Sequence, residues 1–216
     1  PGTARPRLGV KLRLGEAEDY DTLLSFCRML VDSGADMVTL HPRVRRDKYG
    51  RPARRAHVAR LAGDLPVPVY GNGDIASVQG ALEYAREVPC AGLMIGRAAV
   101  QKPWIFRDIR CAFSGEGACM PPAGEGQTVD HLEVAEFFLA TLAQSQPEEF
   151  QISRAHRFFF YYCDNFSFAH HIKMKIQNAV SVAEILELLG EYFDRVPGDR
   201  YRVLPHQVPE SSSGGE

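Results

Sequence analysis

The stretch Val69-Tyr70-Gly71-Asn72-Gly73-Asp74 decides the fold, because it leads from an apolar strand directly into a polar, glycine-rich turn. Three similar strand ends occur in the chain, at Val10-Lys11-Leu12-Arg13, Val38-Thr39-Leu40-His41 and Leu93-Met94-Ile95-Gly96-Arg97. The polar positions of the four strand ends follow one another at intervals of 30, 31 and 24 residues: Lys11, His41, Asn72 and Gly96. This spacing predicts four strand-helix units with parallel strands, whose C-terminal ends open on one face.

Four such units are half the number found in a closed (β/α)8 barrel. Strand number, tilt and stagger are linked in a barrel, so four strands alone cannot close one. A free half would leave two unpaired strand edges. The sequence therefore predicts an α/β fold that is the C-terminal half of a TIM (β/α)8 barrel, over residues 1–113. We expect the missing half-barrel to come from the full-length chain or from self-association.

The pattern changes after the predicted half-barrel. Residues 114–127 are rich in glycine and proline, which predicts a linker. From Thr128 the apolar residues recur with a helical period, so residues 128–196 are predicted to form a small all-α helical domain. Residues 197–216 are predicted to be a disordered tail.

Composition limits the class of protein. The chain has 216 residues, 45% of them hydrophobic and 24% charged, with a net charge of −2, as in soluble globular proteins. It contains no run of about 18 apolar residues, so no membrane span is predicted. The five cysteines form no CxxC pair, so no metal site is predicted, and reduced thiols in the cytoplasm are expected. The chain begins with Pro1, which suggests a processed or excerpted piece.

The strand-end residues have two possible interpretations each. An unpaired Lys11 is costly to bury, so it either faces an electron-rich ligand such as a reduced flavin or reaches solvent. His41 is expected at the same height in the sheet as Lys11, and is either structural or part of the same site. The glycines of the 71–74 turn allow close backbone approach, although Asp74 could instead cap the next helix. Together with Gly96-Arg97, the turn predicts a phosphate site.

A basic run follows His41. Residues 43–60 contain one acid, Asp47, and eight cations: Arg43, Arg45, Arg46, Lys48, Arg51, Arg54, Arg55 and Arg60. Such a run is a solvated helix face, a site for a small anion or a contact with a nucleic-acid backbone. Its position on the predicted active-site rim favours nucleic acid. Arg154 could belong to a second basic stripe in the helical region, whose aromatic residues are interpreted mainly as core.

The motifs together resemble the tRNA-dihydrouridine synthases. The similarity covers about residues 8–110 in order and spacing, and it rests on VKLRLG at 10–15, TLHPR at 39–43, GNGDI at 71–75, MIGRA at 94–98 and PWIF at 103–106. The resemblance implies an FMN-dependent barrel that reduces uridine in tRNA to 5,6-dihydrouridine, with NADPH as the reductant. The helical region resembles the RNA-binding domain of that family in outline.

The resemblance also implies roles for individual residues. FMN would be bound at the strand ends, by Lys11, His41, Asn72, Gly73, Asp74, Gly96 and Arg97. Arg43 would face the substrate, and Arg45, Arg46, Lys48 and Arg154 would contact RNA. The family's catalytic acid is a cysteine in the first half-barrel. No catalytic residue is therefore expected in this chain, and this piece alone is expected to be inactive.

Two other functions stay open at this point. The chain could belong to another FMN-dependent TIM-barrel oxidoreductase that acts on a small metabolite, or it could be a non-catalytic RNA-binding module. Salt separates the first alternative from a tRNA enzyme, because binding to tRNA weakens steeply with salt, whereas turnover of a small molecule depends on it much less. The RNA-binding module would retain tRNA without any flavin.

Overall fold

A computed structural model describes residues 5–48, 50–114 and 128–203. The chain divides into two units, Pro1–Gly115 and Glu116–Glu216, which we describe in turn. The predicted linker at 114–127 lies outside the described residues except for Ser114. None of the helices within the described ranges combines the length and apolar character that crossing a membrane requires.

The first unit alternates strands with helices. Its four strands are hydrogen-bonded in the order β1-β2-β3-β4, and every neighbouring pair is parallel. The elements are β1 Gly9–Gly15, α1 Tyr20–Asp32, β2 Met37–Val44, α2 Ala56–Asp64, β3 Val69–Asn72, α3 Val78–Glu87, β4 Gly92–Met94, α4 Arg97–Gln101 and α5 Ile105–Ser114. An α/β fold with a parallel four-stranded sheet is therefore confirmed.

One face of the sheet packs against helices and forms the core of the first unit. Alternate residues of each strand point toward this face, since successive side chains of a strand lie on opposite sides. Helix α1 contributes buried residues spaced by three and four positions, as expected for an amphipathic helix. The buried residues of this layer include Tyr20, Leu23, Cys27, Val38, Leu40, Val44, Val58, Leu61, Val69 and Tyr84. The opposite face carries the polar side chains of the strand ends.

The second unit is mainly helical. Its elements are β5 Thr128–Asp130, α6 His131–Ser145, α7 Glu148–Tyr162, α8 Ala169–Asn178, α9 Val182–Arg195 and β6 Tyr201–Val203. The helices α6 to α9 lie within residues 128–196, the region that was predicted to be helical. The core lies between them and includes Ala135, Leu139, Phe159, Tyr162, Ile172, Ile176, Ile185 and Leu189.

Two predictions about this unit need correction. It is not purely α-helical, because β5 and β6 form a two-stranded antiparallel sheet that pairs Thr128 with Val203. The predicted disordered tail at 197–216 is ordered in its described part, where a 3-10 turn at Pro197–Asp199 precedes β6. An ion pair between Arg200 and Asp130, with an N–O distance of 3.0 Å, accompanies the strand pairing. Residues 204–216 lie outside the described residues.

The buried His131 is expected to make the second unit sensitive to acid. Its side chain is 1% exposed, and Nδ1 lies 2.9 Å from the Tyr162 hydroxyl. Burial lowers the pKa of His131 from 6.5 to about 4. The unfolded chain binds a proton below pH 6.5, whereas the folded unit does so only near pH 4. This contribution to stability is therefore complete above pH 6.5 and is lost as the pH falls toward 4.

Urea unfolding at pH 7 and pH 5 measures this loss. We expect His131 to account for roughly 2 kcal/mol of the difference in unfolding free energy between these two pH values. The His131→Gln variant should lose that part of the pH dependence, because it has no group that titrates in this range. His170→Gln removes an exposed histidine of the same unit and should keep it. Equal pH dependence in His131→Gln and the parent chain would contradict the assignment.

Candidate active site

The strand register brings polar side chains of β1 and β2 together on one face of the sheet. Lys11 pairs with Thr39, and Arg13 pairs with His41. Paired residues of neighbouring strands project to the same side, so these four side chains share the face opposite the helices. The spacing had suggested that Lys11 lies beside His41. In the structure Lys11 lies beside Thr39, two residues before His41 along β2. Arg13 pairs with His41 instead; it was not among the predicted site residues, although its position two residues after Lys11 on β1 could have indicated it.

His41 is a neutral histidine among cations. Its ring is partly buried, and Nε2 lies 3.0 Å from Nη1 of Arg43. Burial lowers its pKa to about 4, and the positive charges of Lys11, Arg13 and Arg43 act in the same direction. At neutral pH the ring is therefore uncharged and carries one N–H group.

Arg43 is an internal cation whose guanidinium is bonded within the first unit, and its expected contact with the substrate stays a prediction. Its side chain is 1% exposed. Nη2 lies 2.7 and 2.8 Å from the two carboxylate oxygens of Asp74, and Nε donates to the carbonyl oxygen of Arg51 at 2.8 Å. The loop after β2 folds back to allow this, with the amide of Arg54 donating to the carbonyl oxygen of Pro42 at 2.9 Å.

Asn72 and Gly73 form the turn at the end of β3. The Asn72 side chain is 8% exposed, and its Nδ2 donates to the carbonyl oxygen of Met94 on β4 at 2.7 Å. Gly73 has φ of +117°, a conformation that side chains disfavour. A Cβ atom at Gly73 would also lie 3.0 Å from Cδ2 of His41 and 3.1 Å from Cβ of Ala53. The turn therefore requires glycine here for both backbone and packing.

Asp74 joins the turn to the loop after β2. Its carboxylate accepts from Arg43 and from the amide of Ala53 at 2.7 Å. Although burial acts in the opposite direction, the hydrogen bonds from Arg43 and Ala53 hold the pKa of Asp74 below its ordinary value. Asp74 does not cap the next helix, because Ser77 is the N-cap of α3 and accepts from the amide of Gly80 at 3.0 Å.

Gly96 and Arg97 stand at the end of β4. Gly96 is the N-cap residue of α4, and no atom lies within 4 Å of the place where its Cβ would be. Arg97 opens α4, is exposed, and contributes to the low pKa of Asp74 through its charge. The two residues thus stand at the same edge of the sheet as the 71–74 turn, and their role in binding phosphate stays a prediction.

Most cations of the basic run are engaged within the first unit. Six of the eight form ion pairs: Arg43, Arg45, Arg51, Arg54, Arg55 and Arg60. The buried carboxylate of Asp47 organises the loop, since it accepts from the amide of Val44 at 3.0 Å and pairs with Arg51 and Arg54. Most charges of the run are therefore balanced by acids of the first unit, of which only Asp47 lies in the run itself.

Few cations of the basic run remain available to bind a partner molecule. Arg46 and Lys48 form no ion pair with any described residue, and they line a shallow depression with Gly50 and Arg51. Arg45 pairs with Glu16, but both side chains are largely exposed, so the pair opens easily to solvent. In the second unit Arg154 is exposed on α7, and among the described residues it has no ion-pair partner.

Comparison with known proteins adds to this geometry. Residues 5–196 match the sequence model of the family described as dihydrouridine synthase (Dus). A probable tRNA-dihydrouridine synthase of Mycobacterium leprae (strain TN) is 36% identical over 122 residues, which are 56% of this chain and 32% of that protein. The tRNA-dihydrouridine synthase B of Xanthomonas axonopodis pv. citri (strain 306) is 30% identical over 189 residues, covering 86% of this chain and 54% of that protein.

A third relative extends the same result. The probable tRNA-dihydrouridine synthase 1 of Synechocystis sp. (strain ATCC 27184 / PCC 6803 / Kazusa) is 31% identical over 185 residues, 84% of this chain and 50% of that protein. The chain thus spans about half or less of the length of these relatives. The family match covers most of the chain, including all four strand ends, and the chain therefore belongs to the dihydrouridine synthase family.

Proposed function

We propose that this chain supplies the flavin-binding strand ends, and part of the RNA-contacting surface, of an enzyme that reduces uridine to 5,6-dihydrouridine in tRNA. The observation that carries the proposal is the face of the sheet that Lys11, His41 and Asn72 share, beside the Gly73 turn. Membership of the dihydrouridine synthase family supports FMN as the cofactor. The names of the relatives support tRNA as the substrate.

The residues of this site fit FMN chemically. Burial, and then the neighbouring Arg13, lowers the pKa of Lys11, so an electron-rich group beside it would stabilise its charged form. The neutral His41 offers one N–H donor, and Gly73 leaves space where a side chain would stand. Gly96 and Arg97 would hold the phosphate. When bound, FMN would supply the hydride for the uracil ring after reduction by NADPH.

The fold supports a division of the active site. In the described structure β1 pairs only with β2, and β4 only with β3, so each has a second edge that another strand can join. We propose that the sheet is the C-terminal half of a TIM barrel and that the second unit is a helical RNA-binding domain. The other half would come from the full-length chain, or from a second copy, and would bring the cysteine acid. The isolated chain would then be inactive. We place the enzyme in the cytoplasm, together with its tRNA.

Binding of FMN tests the proposed site. We expect visible flavin absorbance to stay with the full-length gene product through gel filtration, and Lys11→Ala and Asn72→Ala each to weaken FMN binding at least 10-fold, the cost of one charge-assisted or buried hydrogen bond. Arg28→Ala removes an exposed cation of α1 and should leave binding unchanged. If the full-length product took up FMN and the 216-residue chain did not, the first half of the barrel would be required for FMN binding. If neither it nor the 216-residue chain took up FMN, the proposal would fail.

Binding of tRNA tests the basic loop separately. The triple variant Arg45→Ala, Arg46→Ala, Lys48→Ala is expected to bind tRNA more weakly and to reduce the slope of log K against log salt by about two to three, because each phosphate contact contributes about 0.7–0.9. Arg43 is kept, since it is buried. A matched control replaces the exposed Arg28, Arg86 and Arg110, which removes the same charge from three helices. An equal loss of slope in both triple variants would contradict a local RNA contact.

A further inference from the structure

Arg43 is a buried residue whose guanidinium contacts two residues of the candidate site, His41 and Asp74. It is among the largest fully buried side chains of the chain. Nη2 binds the carboxylate of Asp74, Nε binds the carbonyl oxygen of Arg51, and Nη1 lies 3.0 Å from Nε2 of His41. The contacts with Asp74 and Arg51 are sufficient to hold the loop after β2 in place. The contact with His41 is not needed for that, and we therefore consider its effect on the histidine ring separately.

The contact with His41 determines which ring nitrogen carries the proton. A guanidinium has donors only and stays protonated in proteins. The pair can therefore form a hydrogen bond only if Nε2 of His41 is the acceptor, which leaves the single N–H of the neutral ring on Nδ1. A ring with its proton on Nε2 would instead place two N–H groups against each other.

Neighbouring residues also pack against the edge of the His41 ring that carries Nε2 and Cδ2. A Cβ atom at Gly73 would lie 3.0 Å from Cδ2 and 3.3 Å from Nε2 of His41, so the backbone of Gly73 is packed against this edge. The same hypothetical Cβ atom would lie 3.1 Å from Cβ of Ala53, whose amide donates to Asp74. Nε2 is thus occupied from within the protein, and Nδ1 is the ring nitrogen that is left for a ligand.

We propose that Arg43 is a positioning residue: it fixes the His41 tautomer with the proton on Nδ1, so that His41 presents a hydrogen-bond donor to an acceptor atom of the bound cofactor. The choice of FMN as that cofactor rests on the proposed function. The tautomer itself is a property of the chain without a ligand. The assignment of the tautomer and the assignment of FMN as the cofactor can therefore be disproved independently of each other.

The test compares two variants that both lack the carboxylate charge of Asp74. Asp74→Asn keeps Arg43 and its donation to His41. The double variant Arg43→Met, Asp74→Asn removes the donor and also its carboxylate partner, so no charge of the pair is left without its counter-charge. Long-range 15N–1H NMR of the histidine-labelled chain at pH 7.5, without FMN, reports the protonation of each ring nitrogen. His41→Gln assigns the resonances, and far-UV circular dichroism verifies that both variants fold.

We expect the parent chain and Asp74→Asn to show Nε2 of His41 unprotonated and Nδ1 protonated. In the double variant the signal should shift toward the form with the proton on Nε2, which free histidine favours. In the full-length product, FMN binding should weaken about 10-fold between Asp74→Asn and the double variant. A parent chain with the proton on Nε2, or an unchanged tautomer in the double variant, would overturn the proposal. Expected tautomers without FMN binding in any variant would instead count against the proposed function.

Discussion

Replacement of Asp74 by alanine is expected to lower the free energy of unfolding of the first unit by about 3 kcal/mol. The variant leaves the guanidinium of Arg43, which is 1% exposed, without its carboxylate partner. Breaking a buried ion pair by removing one partner costs about 3–5 kcal/mol. We expect the lower end of that range, because the Asp74 side chain keeps 29% of its surface exposed and Arg43 keeps its bonds to Arg51 and His41.

Urea unfolding of the parent chain and the variant at pH 7 measures this change. Glu16→Ala is the matched control, since it also removes the carboxylate partner of an arginine. The Arg45–Glu16 pair has side chains that are 80% and 76% exposed, so its loss should give no measurable change. Equal effects of the two substitutions would show that Arg43 does not depend on Asp74.

Gly71→Ala is expected to cost about 2–3 kcal/mol, as overpacking of a well-packed core does. A Cβ atom at Gly71 would lie 2.5 to 2.7 Å from Oη, Cε1 and Cζ of Tyr84. The Tyr84 side chain is fully buried and Arg55 covers its ring, with the guanidinium carbon 4.6 Å from the ring centroid. The ring cannot move aside without disturbing this packing, so β3 would have to shift instead.

Thermal and urea unfolding give the size of this effect, and Gly63→Ala is its control. Gly63 lies in α2, where no atom is within 4 Å of a Cβ position, and alanine is a better helix former than glycine. Gly63→Ala should therefore be neutral or slightly stabilising. Because β3 leads into the Gly73 turn, we also expect Gly71→Ala to weaken FMN binding. A Gly71→Ala variant as stable as the parent would mean that Tyr84 has room to move.

Those parts of the first unit that repeat along the chain could be predicted from the sequence. The regular spacing of His41 and Asn72 after apolar strands predicted the parallel sheet, and the helical period of α1 predicted its buried face. The position of Arg13 was also within reach, because a period of two along β1 puts it on the same face as Lys11. Local patterns are informative where the structure itself is periodic.

Contacts between distant and non-repeating positions could not be predicted in the same way. Arg43 and Asp74 are 31 residues apart, and nothing in the basic run distinguishes the one arginine that is buried from its exposed neighbours. β5 and β6 are three residues long and are separated by the whole helical unit. Such short strands carry no period, and their pairing depends on the fold that brings them together.

The pairing of β5 with β6 has a consequence for how the second unit can be combined with other proteins. Thr128 and Val203 are partners in one antiparallel ladder, so the two ends of the described part of this unit lie side by side. Units whose two ends lie side by side tolerate insertion into another chain, since their host needs only a narrow gap. The described part of the second unit meets this geometric condition, because its four-helix core lies between two adjacent ends.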